Sequence, residues 1–388
     1  MTGYFTLARK KYLTVTAAAS HISIVWIPLL PKREHSRLTH FKREYEPPLQ
    51  MKGHFMQKHI FLPFLFTLIF LPFLSCALFL NGCGRQAEPL SRTGFYFDTV
   101  VTITLYDKQE EALLDQCFSM AQSYENMFSK TVENSDIWNI NHGNGQPVSV
   151  SDNTLALLRA ALSYARLTDG KIDPTIGPVT QLWDFSASSD GLIPSRETLA
   201  EALSHVGYEN ILIDGNQVCL SDPQAQIDLG FIAKGYIADR MKDYLLSQGV
   251  KSATINLGGN VLAIGSRPDG SPFRIGIQKP FAPEGTVALA LPVSDLSVVS
   301  SGIYERYFEK NGIIYHHILD TKTGYPVQNN LLEVTILSQS SMDGDALSTT
   351  CFLLGSEDGM ALIESLENTE AVFLMSDGSV LASSGLDL

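Results

Sequence analysis

Asp345 and Thr349 stand four residues apart in the run Met342-Asp343-Gly344-Asp345-Ala346-Leu347-Ser348-Thr349-Thr350. On a helix they share one face, a turn apart. A carboxylate and a hydroxyl in that arrangement are hard oxygen ligands, suited to a Mg²⁺ that takes its other ligands from phosphate and water. Alone, Asp345 reads as a helix-N-terminal carboxylate matched to the dipole. A second segment, IDLGFIAKGY (Ile227–Tyr236), ends an apolar strand in Asp228, turns at Gly230 and enters a helix that carries Lys234 in its first turn. The free N–H groups of a helix start, with a lysine beside them, suit a diphosphate. The segment lacks the GxxxxGK[ST] pattern of a Walker loop.

Three further segments are too polar or too glycine-rich for plain core. Gly170–Pro178 (GKIDPTIGP) leads to Leu182-Trp183 and by itself reads as a rigid loop as readily as a binding loop. Ile255–Asn260 (INLGGN) by itself reads as a hairpin. Ser300-Ser301-Gly302 and Tyr304-Glu305-Arg306 precede Tyr315-His316-His317-Ile318-Leu319-Asp320 and the turn Thr323-Gly324-Tyr325-Pro326. An imidazole there titrates near neutrality, but an isolated histidine in a strand is usually structural.

The elements that must position these residues show in the periodicity. Val101, Ile103 and Leu105 alternate as in a strand, and Leu113, Cys117, Met120, Tyr124 and Phe128 follow helical spacing. Leu155, Leu158, Leu162 and Ala165 make a second helix after Ser151-Asp152, and Ile232–Gln248 a third, ended by Gly249. Strands are expected at Ala253–Leu257, Arg274–Gln278, Thr286–Pro292, Ile313–Leu319, Glu333–Leu337 and Ala371–Met375, and a last helix at about Met342–Leu354. Without a regular βαβ rhythm, the fold class is α+β, with mixed sheets and packed helices.

Residues 1–83 carry 10 of the 28 Lys and Arg and 3 of the 41 Asp and Glu, leaving 18 basic against 38 acidic residues beyond Cys83. An acidic body without a basic stripe argues against nucleic-acid binding. The run Ile60–Phe79 is almost wholly apolar, follows Lys52 and Lys58, and leads into Leu80-Asn81-Gly82-Cys83. That order describes a secretory signal ending in a lipoprotein box, with Cys83 as the lipidated residue; the alternative is a membrane-spanning helix. The expected organisation is therefore a disordered, mis-called extension over 1–50, a signal over 51–83, a tether over 84–93 and one domain over 94–388. Cys117 and Cys351 read as core residues, and no zinc site is indicated.

Taken in order and spacing, DPTIGP, DLGFIAKGY, INLGGN, SSGIYER, HHILD with TGYP, and DALST closely resemble the FAD:protein FMN transferase family, the ApbE lipoproteins. The resemblance runs from Phe97-Asp98-Thr99 to about Gly355. It implies an ApbE-like fold with FAD as substrate, its diphosphate on Mg²⁺ (Mn²⁺ being the alternative), and FMN passed to a Thr or Ser hydroxyl of a partner with release of AMP. The implied metal ligands are Asp345, Thr349 and the Phe231 carbonyl. The implied FAD contacts are Phe97, Thr131, Lys171, Ile172, Asp173, Asp228, Lys234 and His317. His317 carries over as the base because it immediately precedes Ile318-Leu319-Asp320; on a strand His316 would face the other way. The implied acceptors are membrane redox subunits or secreted flavoproteins, and the implied location is the extracytoplasmic face of the cell membrane through a lipid anchor. Two rival functions share this site: a Mg²⁺-dependent FAD pyrophosphatase that yields FMN and AMP, and a lipid-anchored FAD-binding protein without catalysis.

Overall fold

A computed structural model of the 388-residue chain describes residues 88–186 and 189–387. The expected extension over 1–50, the signal over 51–83 and Cys83 itself lie outside the described residues. The chain opens with a hairpin of β1 (Leu90–Tyr96) and β2 (Thr99–Leu105), then α1 (Glu111–Phe128), α2 (Asp136–Asn141), β3 (Val148–Ser149) and α3 (Asp152–Leu167). A single turn α4 (Gly177–Thr180) and α5 (Arg196–Leu203) precede the hairpin β4 (Ile211–Asp214) and β5 (Gln217–Leu220). Then come α6 (Ala233–Ser247), β6 (Ser252–Leu257), β7 (Asn260–Gly265), β8 (Phe273–Gln278), β9 (Val287–Val293) and β10 (Ser297–Gly302). The chain continues through β11 (Tyr307–Lys310), β12 (Ile313–His316), β13 (Leu331–Ser338), α7 (Ser341–Leu354), α8 (Ser356–Glu364), β14 (Thr369–Met375) and β15 (Val380–Ala382).

The central sheet has eight strands in the order β1-β2-β6-β7-β10-β13-β14-β15, with neighbours paired antiparallel. Helices and sheets segregate as an α+β fold requires. The period of two in each strand explains the layers. Val101, Ile103, Ile255 and Leu262 bury one face under α1, α3 and α6. Val334, Ile336, Ala371 and Phe373 bury the same kind of face under α7 and α8. The alternate residues Val298, Leu337, Val372 and Leu374 lie under the separate β8–β9 hairpin. Cys117 and Cys351 are fully buried, as core residues.

Two expectations need correction. Leu90–Tyr96 pairs with β2 along its whole length, so residues 90–93 of the expected tether belong to the sheet. The strand expected over Ile313–Leu319 stops at His316, because beyond His317 the chain leaves β11 and Ile318 and Leu319 pair with Val327 and Pro326 instead.

The site depends on how α6 meets α7. Ser340 caps α7 by accepting from the Asp343 N–H (3.1 Å). From α6, Asp239 accepts from the N–H groups of Ser341 (2.9 Å) and Met342 (3.0 Å), satisfying donors that a helix start leaves free. At Gly235 the two backbones touch, and a Cβ there would lie 2.6 Å from the Met342 Cα and closer still to the Ser341 carbonyl oxygen. Neither group is a flexible side chain that could move aside. Gly235→Ala is therefore expected to cost about 1–3 kcal/mol by overpacking, read as a lowered midpoint in chemical denaturation. An unchanged midpoint would contradict the close approach of the helices.

Candidate active site

Asp345 is 3% exposed on the inward face of α7. Its Oδ2 accepts from the Gly235 N–H (2.9 Å), and its Oδ1 lies 3.3 Å from Lys234 Nζ. Helical spacing puts Thr349 one turn on, half-buried, with its Oγ1 3.3 Å from Ser301 Oγ on β10. The Phe231 carbonyl, just before α6, accepts no backbone hydrogen bond among the described residues. A carboxylate, a hydroxyl and a carbonyl are hard-oxygen donors of the kind that could hold a small divalent cation. Among the described residues no three His, Cys, Asp or Glu gather as a metal cluster. Any Mg²⁺ held by these donors would take its remaining ligands from outside oxygens, such as those of a diphosphate.

The strand expected to lead into Asp228 does not form; only a single bridge of Gln226 to Ile176 precedes it. Beside α4, Asp228 makes a tight ion pair with Lys130 (2.6 Å). Lys130 also donates to Thr180 Oγ1 (2.9 Å), and the Gly230 N–H donates to Asp228 Oδ1 (3.0 Å). Burial pushes the Asp228 carboxyl up, but the charge and hydrogen bond of Lys130, with those from Gly230 and Thr180, hold it below the usual carboxylate range. Lys234 sits a turn into the same loop-to-helix segment, donating to the Gly230 carbonyl (3.3 Å). The Asp228 N–H donates to the Pro174 carbonyl (2.7 Å), which joins this segment to Lys171-Ile172-Asp173.

Within that triplet the three residues differ. Asp173 is buried and its oxygens are taken by Thr175 (N–H 2.7 Å, hydroxyl 2.6 Å) and the Tyr208 N–H (2.9 Å). Its side chain shapes the loop. Ile172 is buried and its N–H donates to Thr168 Oγ1 (3.2 Å), while Lys171 stays half-exposed. Phe97 holds the β1–β2 turn at φ 55°, its N–H donating to Glu125 Oε1 (2.8 Å). Thr131 is exposed and its hydroxyl lies 3.1 Å from Ser129 Oγ. Arg306 reaches the same turn, donating to the Asp98 carbonyl (3.4 Å). The Gly258-Gly259 turn is a hairpin, and a Cβ at Gly258 would strike the Thr99 side chain at 2.8 Å.

The two histidines differ sharply. His316 is buried against Phe352, its Nε2–H donating to the Val327 carbonyl (3.0 Å) while Nδ1 accepts from the Ile318 N–H (3.3 Å). Both ring nitrogens are used, as in a satisfied core histidine. His317 is half-buried in the bend after β12, with Nδ1 3.3 Å from the Arg306 carbonyl. A carbonyl cannot donate, so Nδ1 carries the proton and the Nε2 lone pair is left open. Burial, then the charges of Arg306 and His316, depress His317 to about 3, and burial depresses His316 to about 4. It is their surroundings that separate the two rings, since His317 has already left the strand.

Three side chains in this cleft had no role assigned from sequence. Lys130 looks like a surface charge after a helix, and its partner lies 98 residues away. Ser301 and Glu305 sit in a noted motif, but nothing local says that one meets α7 and the other the Gly258-Gly259 turn. Protein around Glu305 pushes its carboxyl up to about 7, Asp345 and Glu333 adding to the rise while Lys234 and Arg306 oppose it.

The antiparallel sheet and its two packed helices bring Asp345, Lys234, Glu305, Arg306 and His317 within electrostatic reach of one another. The ApbE family model matches residues 97–373, and the chain belongs to the ApbE family. A FAD:protein FMN transferase of Klebsiella pneumoniae (strain 342) is 37% identical over 287 residues, covering 73% of this chain and 88% of the relative. One from Treponema pallidum (strain Nichols) is 32% identical over 329 residues, covering 79% and 91%. Among solved structures, the ApbE protein of Thermotoga maritima superposes with a TM-score of 0.70 at 32% identity, covering 77% of this chain and 98% of its own. The flavin transferase ApbE of Vibrio cholerae gives 0.69 at 30% identity, covering 76% and 97%.

In the unliganded protein both imidazoles are expected to stay neutral from pH 8 down to 5, read by ¹⁵N NMR of the ring nitrogens. Unfolded histidine takes up a proton near 6.5. The unfolded chain therefore binds more protons as the pH falls, and stability declines from about pH 7 towards 4. Titration of either ring near 6.5 would contradict the depressed values.

Proposed function

We propose that this chain transfers the FMN half of FAD to a Thr or Ser hydroxyl of a partner protein, forming a phosphoester and releasing AMP. The observation that carries the reading is the joining of Asp345 to the start of α6 through the Gly235 N–H, with Lys234 alongside. A diphosphate there would meet Lys234 and the donor set of Asp345, Thr349 and the Phe231 carbonyl at the positive end of the helix dipole, the N–H groups of Ala233 and Gly235 being taken by Leu229 and Asp345. When bound, Mg²⁺ supplies charge neutralisation and Lewis acidity to the phosphate oxygens. Lys130 holds Asp228 ionised beside the same loop, and Phe97, Thr131 and Lys171 border the cleft as candidate contacts for the rest of FAD.

The reaction needs one new bond and one broken bond. The acceptor oxygen attacks the phosphorus on the riboflavin side, the P–O bond to AMP breaks, and AMP leaves with the electron pair. The acceptor proton goes to the open Nε2 of His317, whose neutral state leaves it free to take it. Phosphoryl transfer of this kind depends chiefly on positioning and charge stabilisation, which fixed helix starts provide.

Incubation with FAD, Mg²⁺ and a Thr-containing peptide, read by mass, separates the alternatives. A peptide–FMN adduct is expected; free FMN with AMP would mean hydrolysis, and unchanged FAD binding alone. Asp345→Ala should lose transfer together with its Mg²⁺ dependence, and Thr349→Ala should be less severe. His317→Ala should keep FAD affinity but slow transfer by about 10²–10⁴-fold, and full kcat in that variant would remove His317 from the role.

We further propose that Cys83 is lipidated and anchors the mature protein at the extracytoplasmic face of the cell membrane, where membrane redox subunits or secreted flavoproteins are the acceptors. The basic, apolar and LNGC order supports this. Mass analysis of the membrane fraction should find acylated Cys83 at the mature N-terminus, and Cys83→Ala should release the protein. A mature form that starts elsewhere would overturn the assignment.

A further inference from the structure

The β8–β9 hairpin ends in a loop, Lys279–Thr286, that is built more tightly than a surface connection needs. The Gln278 side chain staples it from inside, donating to the carbonyls of Lys279 (3.2 Å), Ala282 (3.3 Å) and Pro283 (3.1 Å) and accepting from the Gly285 N–H (3.0 Å). Pro280 and Pro283 stiffen it further. At its tip Phe281 holds φ at 58°, a left-handed conformation unfavourable for a bulky residue, yet its side chain is 44% exposed. A strained backbone that presents an apolar ring to water does not serve core packing, and such outliers gather at functional sites.

The ring packs on the segment that carries Glu305 and Arg306. Phe281 meets Tyr307 edge-on (5.3 Å) and Tyr304 likewise (6.2 Å). Tyr304 lies beside Glu333, a fully buried residue of β13. Tyr307 is itself 37% exposed and pairs across β11–β12 with His316. The rim thus begins one residue from His317. Tyr307 follows Arg306, whose carbonyl meets His317 Nδ1 (3.3 Å), so a polypeptide presenting a hydroxyl to His317 can reach Tyr307 and Phe281 with its next residues, about 3.3 Å apart when extended.

We propose that Phe281 and Tyr307 form a preorganised docking rim for the acceptor polypeptide, taking an apolar side chain that flanks the hydroxyl-bearing residue. The inference rests on the transferase reading and adds to it the surface that selects the acceptor. Rigid aromatic residues make such anchors because little entropy is lost on binding.

The test uses the full chain with FAD, Mg²⁺ and a randomised peptide library carrying one fixed central Thr, read by mass for FMN adducts. Wild-type adducts should be enriched in peptides with an apolar residue close to the Thr, and Phe281→Ala should lose that enrichment. For one enriched peptide, Phe281→Ala and Tyr307→Ala should raise KM about tenfold or more, with kcat and FAD affinity unchanged, while Phe281→Trp restores binding. Unchanged KM and enrichment in Phe281→Ala would overturn the proposal and leave the transferase reading intact. Weakened FAD binding would also overturn it, by assigning the ring to the flavin. Failure of the wild type to label any peptide while FAD binds would sink the transferase reading and the rim with it.

Discussion

The hydrogen bond from the Gly235 N–H to Asp345 decides where the rest of the cleft lies. It joins residues 110 apart in the chain and works only because the two helices approach until a side chain at residue 235 would not fit. Asp239, one turn along α6, repeats the tie by accepting from the first N–H groups of α7. The two contacts fix both spacing and rotation between the helices. Thr349, Lys234 and the Phe231 carbonyl take their places from that register without further help. An arrangement carried by helix backbones holds its geometry better than one carried by loops.

Electrostatics follow the same economy. The body beyond Cys83 has 18 basic and 38 acidic residues, a field that disfavours an anionic dinucleotide at long range. Against it the cleft sets a few cations, each held by a local partner: Lys130 on Asp228, Lys234 on Asp345, and Arg306 on the Asp98 carbonyl. The two lysine pairs are partly buried, and such pairs are screened less by salt than fully exposed ones. The contrast between acidic surroundings and paired cations marks the cleft more clearly than its shape does.

How far the sequence could be read depended on where each residue finds its partner. Strand β2 and helices α1, α3, α6 and α7 show in local periodicity, because their buried stripes repeat within a turn or two. The site motifs are legible together, because each places a chemically expensive residue at an element boundary. Strand β1 was obscured by Ser91, Arg92 and Thr93, whose polar side chains suit an edge strand and resemble a tether until β2 is seen beside them. The end of β12 was hidden because Ile318 and Leu319 continue an apolar pattern while the backbone leaves β11 to pair with Val327 and Pro326. Lys130 and Asp239 gave no local signal, since what makes each significant is a group about a hundred residues distant.

Trp183 gives the molecule an optical reporter of its own. Its indole N–H donates to the Gly324 carbonyl (2.9 Å), and its ring stacks on Phe185 (5.6 Å) and on Tyr315 of β12 (6.0 Å). The strand that leads to His317 therefore rests directly on this indole. The other tryptophan among the described residues, Trp138, lies elsewhere and stacks on His142 (4.0 Å). Emission from the buried indole can be separated from that of Trp138 by quenchers that reach only the surface. Displacement of the β11–β12 hairpin would then register as a change in colour and lifetime, without a label and without turnover.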